Sequence, residues 1–186
     1  MNIQRADIFL TKGSGFISKA IRFFSRHIGE SRTRVNHVGV VVAAGDIEHC
    51  EVVEALSKVK QHTLWVQYGP KNKDLVAIYR PLNLTEEEKQ IIVDEALEQV
   101  DKKYGYLKIV THLLDWILQG AYVFRRLTQD DRYPICSWLV AHAFSKAGKH
   151  FGVEPGAAQP DDIWDFVIKK KNRDKYECIH TLKRIW

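Results

Sequence analysis

The pattern of apolar and polar residues predicts a chain of mixed strands and helices. Short runs rich in β-branched residues predict strands at residues 5–10, 35–43, 50–60, 61–68, 75–82 and 176–186. Apolar residues spaced three and four apart predict helices at residues 16–28, 86–100 and 110–118, one that begins near residue 136, and a last one that begins near residue 160. Because short turns join neighbouring strands, we expect an α+β fold with an antiparallel sheet or small barrel. One domain over residues 1–186 fits this length.

Residues typical of helix starts and ends mark the limits of several predicted helices. Thr85 and Glu88 have the spacing of a capping box, so a helix should begin directly after Thr85. Pro134 disfavours helix at the residue before it, which places the next helix start close to Cys136. Gly148 lies where a C′ glycine would end that helix. Pro160 suits the first position of the last helix.

Composition narrows the class of protein. The chain is 45% hydrophobic and 27% charged, which is typical of a globular protein and excludes disorder. Its three cysteines are too few and too irregular for a disulfide framework. We recognise no signal peptide and no apolar run of about 18 residues, so we expect a soluble, cytoplasmic protein without an integral membrane segment. The net charge of +5 is modest; we expect no nucleic-acid partner and at most weak contact with a membrane surface.

Candidate chemistry is concentrated on three residues. Cys136 lies in the first turn of its predicted helix, where the helix dipole favours thiolate over thiol. His37 lies near the start of the strand at 35–43. Glu54, on the strand at 50–60, shares a face with apolar neighbours and therefore needs a partner. The two strands are joined by a short turn, so His37 and Glu54 can be neighbours.

This set suits nucleophilic catalysis by a thiol. Cys136 would be the nucleophile, His37 the base and Glu54 the group that orients His37, while backbone N–H groups at the helix start would stabilise an oxyanion. The residue types alone also fit a buried cysteine, a strand histidine and a buried carboxylate that coexist without chemistry. A metal is the other alternative, but no CxxC, HxxxH or HExxH spacing is present. The residue types for such a site are His37, His49, Cys50, Glu51 and Glu54.

Short motifs spread over residues 6–163 resemble those of one family, in the family's order. They are Ala-Asp-Ile-Phe-Leu-Thr-Lys-Gly-Ser-Gly-Phe-Ile-Ser-Lys-Ala-Ile-Arg, Asn-His-Val-Gly-Val-Val-Val, Val-Val-Glu-Ala, Tyr-Gly-Tyr, Tyr-Pro-Ile-Cys-Ser-Trp-Leu-Val and Gln-Pro-Asp-Asp-Ile. Together they look like the circularly permuted NlpC/P60 (papain-like) group, in its YiiX-like branch, which is distantly similar to lecithin retinol acyltransferases. The resemblance implies a papain-like α+β fold in which the nucleophile helix packs on an antiparallel sheet.

The resemblance also implies roles for particular residues. His37 matches the family's base, Cys136 its nucleophile, and Glu54 the polar third member, with Glu51 as the fallback for that position. Many classical members carry Asp directly before the cysteine, whereas this chain has Ile135, so the classical peptidoglycan contacts are not carried over. Either Tyr104 or Tyr133 is a candidate for an oxyanion hydroxyl. No cofactor is implied.

The expected reaction is acyl transfer through a thioester on Cys136. With water as the acceptor, the chain would be an amidase, peptidase or esterase that acts on a small peptide-like or cell-wall-related substrate. With a lipid or amine acceptor, it would be an acyltransferase. The apolar segment 107–127 suits this lipid-directed alternative, an acyltransferase or esterase on the same three residues. A binding module that retains the fold without chemistry is the third hypothesis. The sequence leaves the oligomeric state open, a dimer included.

Overall fold

The structure, a computed structural model, describes residues 1–13, 34–103 and 135–186. Within these ranges six strands form one open antiparallel sheet in the order β4-β3-β2-β1-β5-β6. The strands are β1 (Ile8–Lys12), β2 (His37–Ala43), β3 (Glu51–Ala55), β4 (Val59–Thr63), β5 (Leu75–Pro81) and β6 (Tyr176–Lys183).

Four α-helices accompany the sheet in the described ranges. They are α1 (Leu64–Tyr68), α2 (Glu86–Leu97), α3 (Cys136–Lys146) and α4 (Pro160–Ile168), and short 3₁₀ turns cover Pro155–Ala157 and Lys170–Asn172. Helix α3 packs against β2 and α2. In residues 1–13, 34–103 and 135–186, no helix has the length and apolar character needed to cross a bilayer.

The strands bury side chains on both faces of the sheet. Val38, Val40 and Val53 belong to a large core that includes the apolar face of α3. Val41 and Val52 belong to a second, smaller core on the opposite face. This burial on both sides explains why β2 is a nearly continuous apolar run in the sequence.

Most of the predicted elements in the described ranges are confirmed. Thr85 and Glu88 make both hydrogen bonds of a capping box, at 3.1 and 2.9 Å. Helix α3 begins at Cys136, and Gly148 beyond its end adopts a φ of 71°, which favours glycine. Pro160 occupies the first turn of α4. The predicted helices at 16–28 and 110–118 lie outside the described residues.

Two strand predictions need correction. The predicted strand at 50–60 is two strands, since the chain turns between β3 and β4 and the Leu56 N–H donates to the Lys58 carbonyl at 3.0 Å. The second half of the predicted strand at 61–68 is helix α1. Leu64 and Tyr68, four residues apart, are buried, whereas Val66 between them is 76% exposed. A helical turn achieves this burial, whereas a strand would bury all three or none.

Candidate active site

Cys136 is the first residue of α3 and is buried, with 4% of its surface exposed. The apolar residues that follow it fix α3 on the sheet, so the sulfur is held close to the start of β2. The backbone N–H groups of Val38 and Ser137 lie beside this sulfur and help to lower the pKa of its thiol. One donor therefore comes from the helix start and the other from the strand on which the helix packs, and both favour the thiolate.

His37 is the first residue of β2, at the end of the strand. Its ring forms a hydrogen bond through Nε2 with Oε2 of Glu54, and the same ring lies beside the Cys136 sulfur. Because Glu54 occupies Nε2, Nδ1 is the nitrogen that remains for Cys136. The ring thus lies between a thiol and a carboxylate, the order that nucleophilic catalysis requires.

Glu54 is fully buried on β3. Its Oε2 accepts hydrogen bonds from His37 and from the Tyr68 hydroxyl, the latter at 2.7 Å. Its other oxygen, Oε1, lies 2.8 Å from Nε2 of His62, which is within ion-pair distance although the two atoms are not aligned as a hydrogen bond. The Glu54 carboxylate is therefore in contact with the imidazoles of His37 and His62 and with the Tyr68 phenol.

These contacts change the acidity of each group. Burial alone would lower the pKa of His37, but the charges and hydrogen bonds of Cys136 and Glu54 outweigh burial and raise it to about 10. Burial alone would raise the pKa of Glu54, but His37, His62 and Tyr68 lower it to about 2. Burial alone would also raise the pKa of Cys136, and the neighbouring His37 lowers it below its ordinary value. The arrangement favours a thiolate beside an imidazolium.

A second layer of contacts fixes the histidine and the carboxylate. The Tyr68 hydroxyl, which donates to Glu54, lies beside the Thr11 side chain of β1. The Phe9 ring packs between the His37 and Tyr68 rings, with centroid distances of 6.4 and 5.7 Å. Gly39, the cross-strand partner of Phe9, leaves the space that this ring occupies. The glycine two residues after His37 therefore serves packing beside the site.

The structure brings together the three predicted residues Cys136, His37 and Glu54. Glu51, the fallback for the third position, instead accepts a hydrogen bond from Gln61 at 2.6 Å. His49 lies at the surface with Asp46. Tyr104 and Tyr133, the oxyanion candidates, lie outside the described residues.

Sequence reasoning missed His62 and Tyr68. His62 lies on β4, diagonally across from Glu54, because Glu54 pairs directly with Lys60 in the β3–β4 register. A hairpin prediction with its turn at residues 56–58 would have placed His62 on the same face as Glu54. Tyr68 carried no comparable signal, since its position depends on α1.

Comparisons with known proteins bear on the fold. No family model and no curated protein matches the sequence. Among solved structures, the chain is similar to the metalloprotein YiiX of Escherichia coli O157:H7, with 22% sequence identity and a TM-score of 0.54, covering 81% of this chain and 69% of that one. At this identity the likeness shows a common fold alone. A YiiX-like fold is therefore confirmed, while the narrower assignment to the NlpC/P60 group stays a prediction.

Proposed function

We propose that this chain is a cysteine hydrolase with a circularly permuted papain-like fold, which cleaves an amide bond in a peptide-like substrate. One observation carries the proposal: a thiol at a helix N-terminus lies beside a histidine whose Nε2 is held by a buried carboxylate. The strand that carries His37 precedes the helix that carries Cys136, which is the chain order expected of a permuted papain-like fold.

In the first half-reaction the Cys136 thiolate attacks the carbonyl carbon of the substrate. Backbone N–H groups at the start of α3 are the donors available to the developing oxyanion. The carbon–nitrogen bond then breaks, and the His37 imidazolium gives its Nδ1 proton to the departing amine. The products of this step are a free amine, a thioester on Cys136 and a neutral His37.

In the second half-reaction water replaces the amine. Neutral His37 takes a proton from water as the oxygen attacks the thioester carbon, and the carbon–sulfur bond breaks. The acid product leaves, and the thiolate and the imidazolium are restored. Throughout both steps Glu54 remains ionised, because its role is to orient His37 and to stabilise the imidazolium.

YiiX is a metalloprotein, which raises the question of whether this chain also holds a metal. Among residues 1–13, 34–103 and 135–186, no three side chains of His, Cys, Asp or Glu are grouped so that they could hold a metal ion. His37 and His62 contact Glu54 from different sides, each on its own oxygen. The described residues therefore do not fit a metal centre, and the proposed steps use none.

The chain contains its own controls for a test of thiol activation. Cys178 is exposed and serves as a reference thiol, whereas burial raises the pKa of Cys50 to about 11. We expect iodoacetamide to alkylate Cys136 at least about tenfold faster than Cys178 near neutral pH, with Cys50 slowest. His37→Gln should slow alkylation at Cys136 and leave Cys178 unchanged. Peptide mapping by mass spectrometry at several pH values measures all three rates, and equal rates at Cys136 and Cys178 would refute an activated thiol.

Turnover separates the hydrolase from the acyltransferase. An activated ester such as p-nitrophenyl acetate should give a burst of nitrophenol and a covalent acetyl adduct on Cys136 that is absent in Cys136→Ala. A panel of peptide amides should then be hydrolysed. If acyl lipids are consumed while peptide amides are not, the lipid-directed acyltransferase or esterase is correct and the amidase proposal is wrong. If the Cys136→Ala variant retains the biological activity of the chain, a binding module is correct instead.

A further inference from the structure

The two oxygens of Glu54 have unequal surroundings. Oε2 accepts from both His37 and Tyr68. Oε1 is buried and has no aligned hydrogen bond among the described residues, and the polar group beside it is Nε2 of His62, at 2.8 Å. A buried carboxylate oxygen without a donor is costly, so the protonation state of His62 decides whether Oε1 is compensated.

The contacts of the His62 ring specify that state. Nδ1 lies 2.9 Å from the carbonyl oxygen of Thr63, which only accepts hydrogen bonds, so Nδ1 carries a proton. Nε2 lies against an ionised carboxylate, which also only accepts. A neutral ring with its proton on Nδ1 would leave an unprotonated Nε2 only 2.8 Å from the charged Oε1, and the lone pairs of the two atoms would repel each other. The ring that fits both neighbours is the imidazolium, with a proton on each nitrogen.

The charges around His62 agree with this geometry. Burial by itself lowers the pKa of His62, but Glu54 from β3 and the Thr63 carbonyl outweigh burial and raise it above the ordinary value. Lys60, on the same strand as His62, opposes them. On the side of α1 the neighbouring titratable group is Tyr68, which donates to the same carboxylate and is neutral, since burial raises its pKa well above the ordinary value.

We propose that His62 is a positioning residue: as an imidazolium it holds Oε1 of Glu54, and so it fixes the carboxylate that orients His37. This role rests on the proposed function, because it acts on the reaction only through Glu54 and His37. When His62 loses its proton, Oε1 loses its charged partner, and the carboxylate is held through Oε2 alone. The reactivity of Cys136 then has a pH dependence set by His62, which acts on the thiol only through Glu54 and His37.

Two substitutions separate charge from hydrogen bonding. His62→Gln retains an N–H donor for Oε1 but cannot titrate. We expect alkylation of Cys136 within about threefold of the unaltered chain, with the His62 step gone from its pH profile. His62→Leu leaves Oε1 without a donor, and alkylation should fall by about tenfold or more. His49→Gln, at an exposed site on the turn between β2 and β3, is the matched control and should change neither the rate nor the profile. Circular dichroism checks that each variant is folded.

The unaltered protein gives a direct test. In ¹³C- and ¹⁵N-labelled chain, the ring resonances of His62 should report an imidazolium that titrates above the ordinary value of 6.5. A His62 ring that is neutral at and below that pH would overturn the inference, as would an unchanged pH profile of Cys136 in both His62 variants. If Cys136 is no more reactive than Cys178 in the unaltered chain, the proposed function itself fails, and the NMR titration still decides the state of His62.

Discussion

The packing of Phe9 over Gly39 offers a sharp test of how the sheet supports the site. A Cβ added at Gly39 would lie 2.4 Å from two ring carbons of Phe9 and 2.8 Å from the carbonyl oxygen of Val53. Carbon atoms in contact are normally about 3.5 Å apart or more, so the ring would have to move by about 1 Å. The Val53 carbonyl belongs to the neighbouring strand and cannot yield without disturbing the β2–β3 pairing.

We expect Gly39→Ala to lower the free energy of unfolding by about 2 to 3 kcal/mol, the upper part of the range for overpacking, because one of its clashes is with the backbone. With a urea dependence of about 2 kcal/mol per molar, this moves the unfolding midpoint by about 1 to 1.5 M. Gly156→Ala is the matched control, since a Cβ there meets nothing within 4 Å, and its midpoint should hardly change.

A double-mutant cycle tests whether the clash with Phe9 causes the loss of stability in Gly39→Ala. Phe9→Leu removes ring carbons that the new Cβ would strike, so Gly39→Ala should cost less in the Phe9→Leu background by at least about 1 kcal/mol. The clash with Val53 remains in both backgrounds and keeps the relief partial. Because the Phe9 ring also packs on His37, Gly39→Ala should slow alkylation of Cys136 in the folded protein. Additive effects in the cycle, or a Gly39→Ala variant as stable as Gly156→Ala, would refute the steric reasoning.

Three further predictions concern the charged groups. The pKa of Glu54 is lowered from 4.5 to about 2, so its stabilisation is lost as the pH falls from 4.5 toward 2, and the pKa of His37 is raised from 6.5 to about 10, so its stabilisation is lost as the pH rises from 6.5 toward 10. Both contributions are complete between pH 4.5 and 6.5. Urea unfolding at several pH values should show the free energy of unfolding fall on both sides of this range, and Glu54→Gln should flatten both decreases. Tyr68→Phe removes a donor to the buried carboxylate and should cost about 1 to 3 kcal/mol by the same assay, and a neutral result would count against that hydrogen bond. Arg80→Met removes the cation that donates to the buried Asp7 at 3.0 and 2.9 Å and leaves the Gln4 N–H as a donor without a countercharge. This should cost about 3 to 5 kcal/mol, without changing the alkylation rate of the folded site.

Periodicity predicted the parts of the fold that bury a continuous face. The valines of β2 and the apolar residues of α3 form long patterns with clear ends, and Cys136 follows from the start of that helix. Periodicity failed where the elements are short. The turn between β3 and β4 carries Ser57 alone as a turn residue, which is a weak signal. Helix α1 spans just over one turn, too short for a helical repeat to be distinguished from a strand.

The same difference separates the predicted and the missed residues of the site. Glu54 was noticeable in the sequence because a carboxylate among buried strand residues requires partners. Which partners it has depends on the register of β3 with β4 and on the position of α1, and these are long-range results of folding. The sequence therefore showed that Glu54 needs partners, but only the structure shows that His62 and Tyr68 are among them.

The order of the site residues along the chain also bears on when the site forms during folding. His37, Glu54, His62 and Tyr68 lie on consecutive elements from β2 to α1, so a local strand meander assembles their contacts. Cys136 joins them from about 70 to 100 residues farther along, and such distant contacts form late because loop closure costs entropy. Since the pKa of Cys136 is lowered by His37, a refolding chain should gain its fast-reacting thiol only when α3 packs on β2. Pulsed alkylation of Cys136 would then time the packing of α3 on β2 during folding.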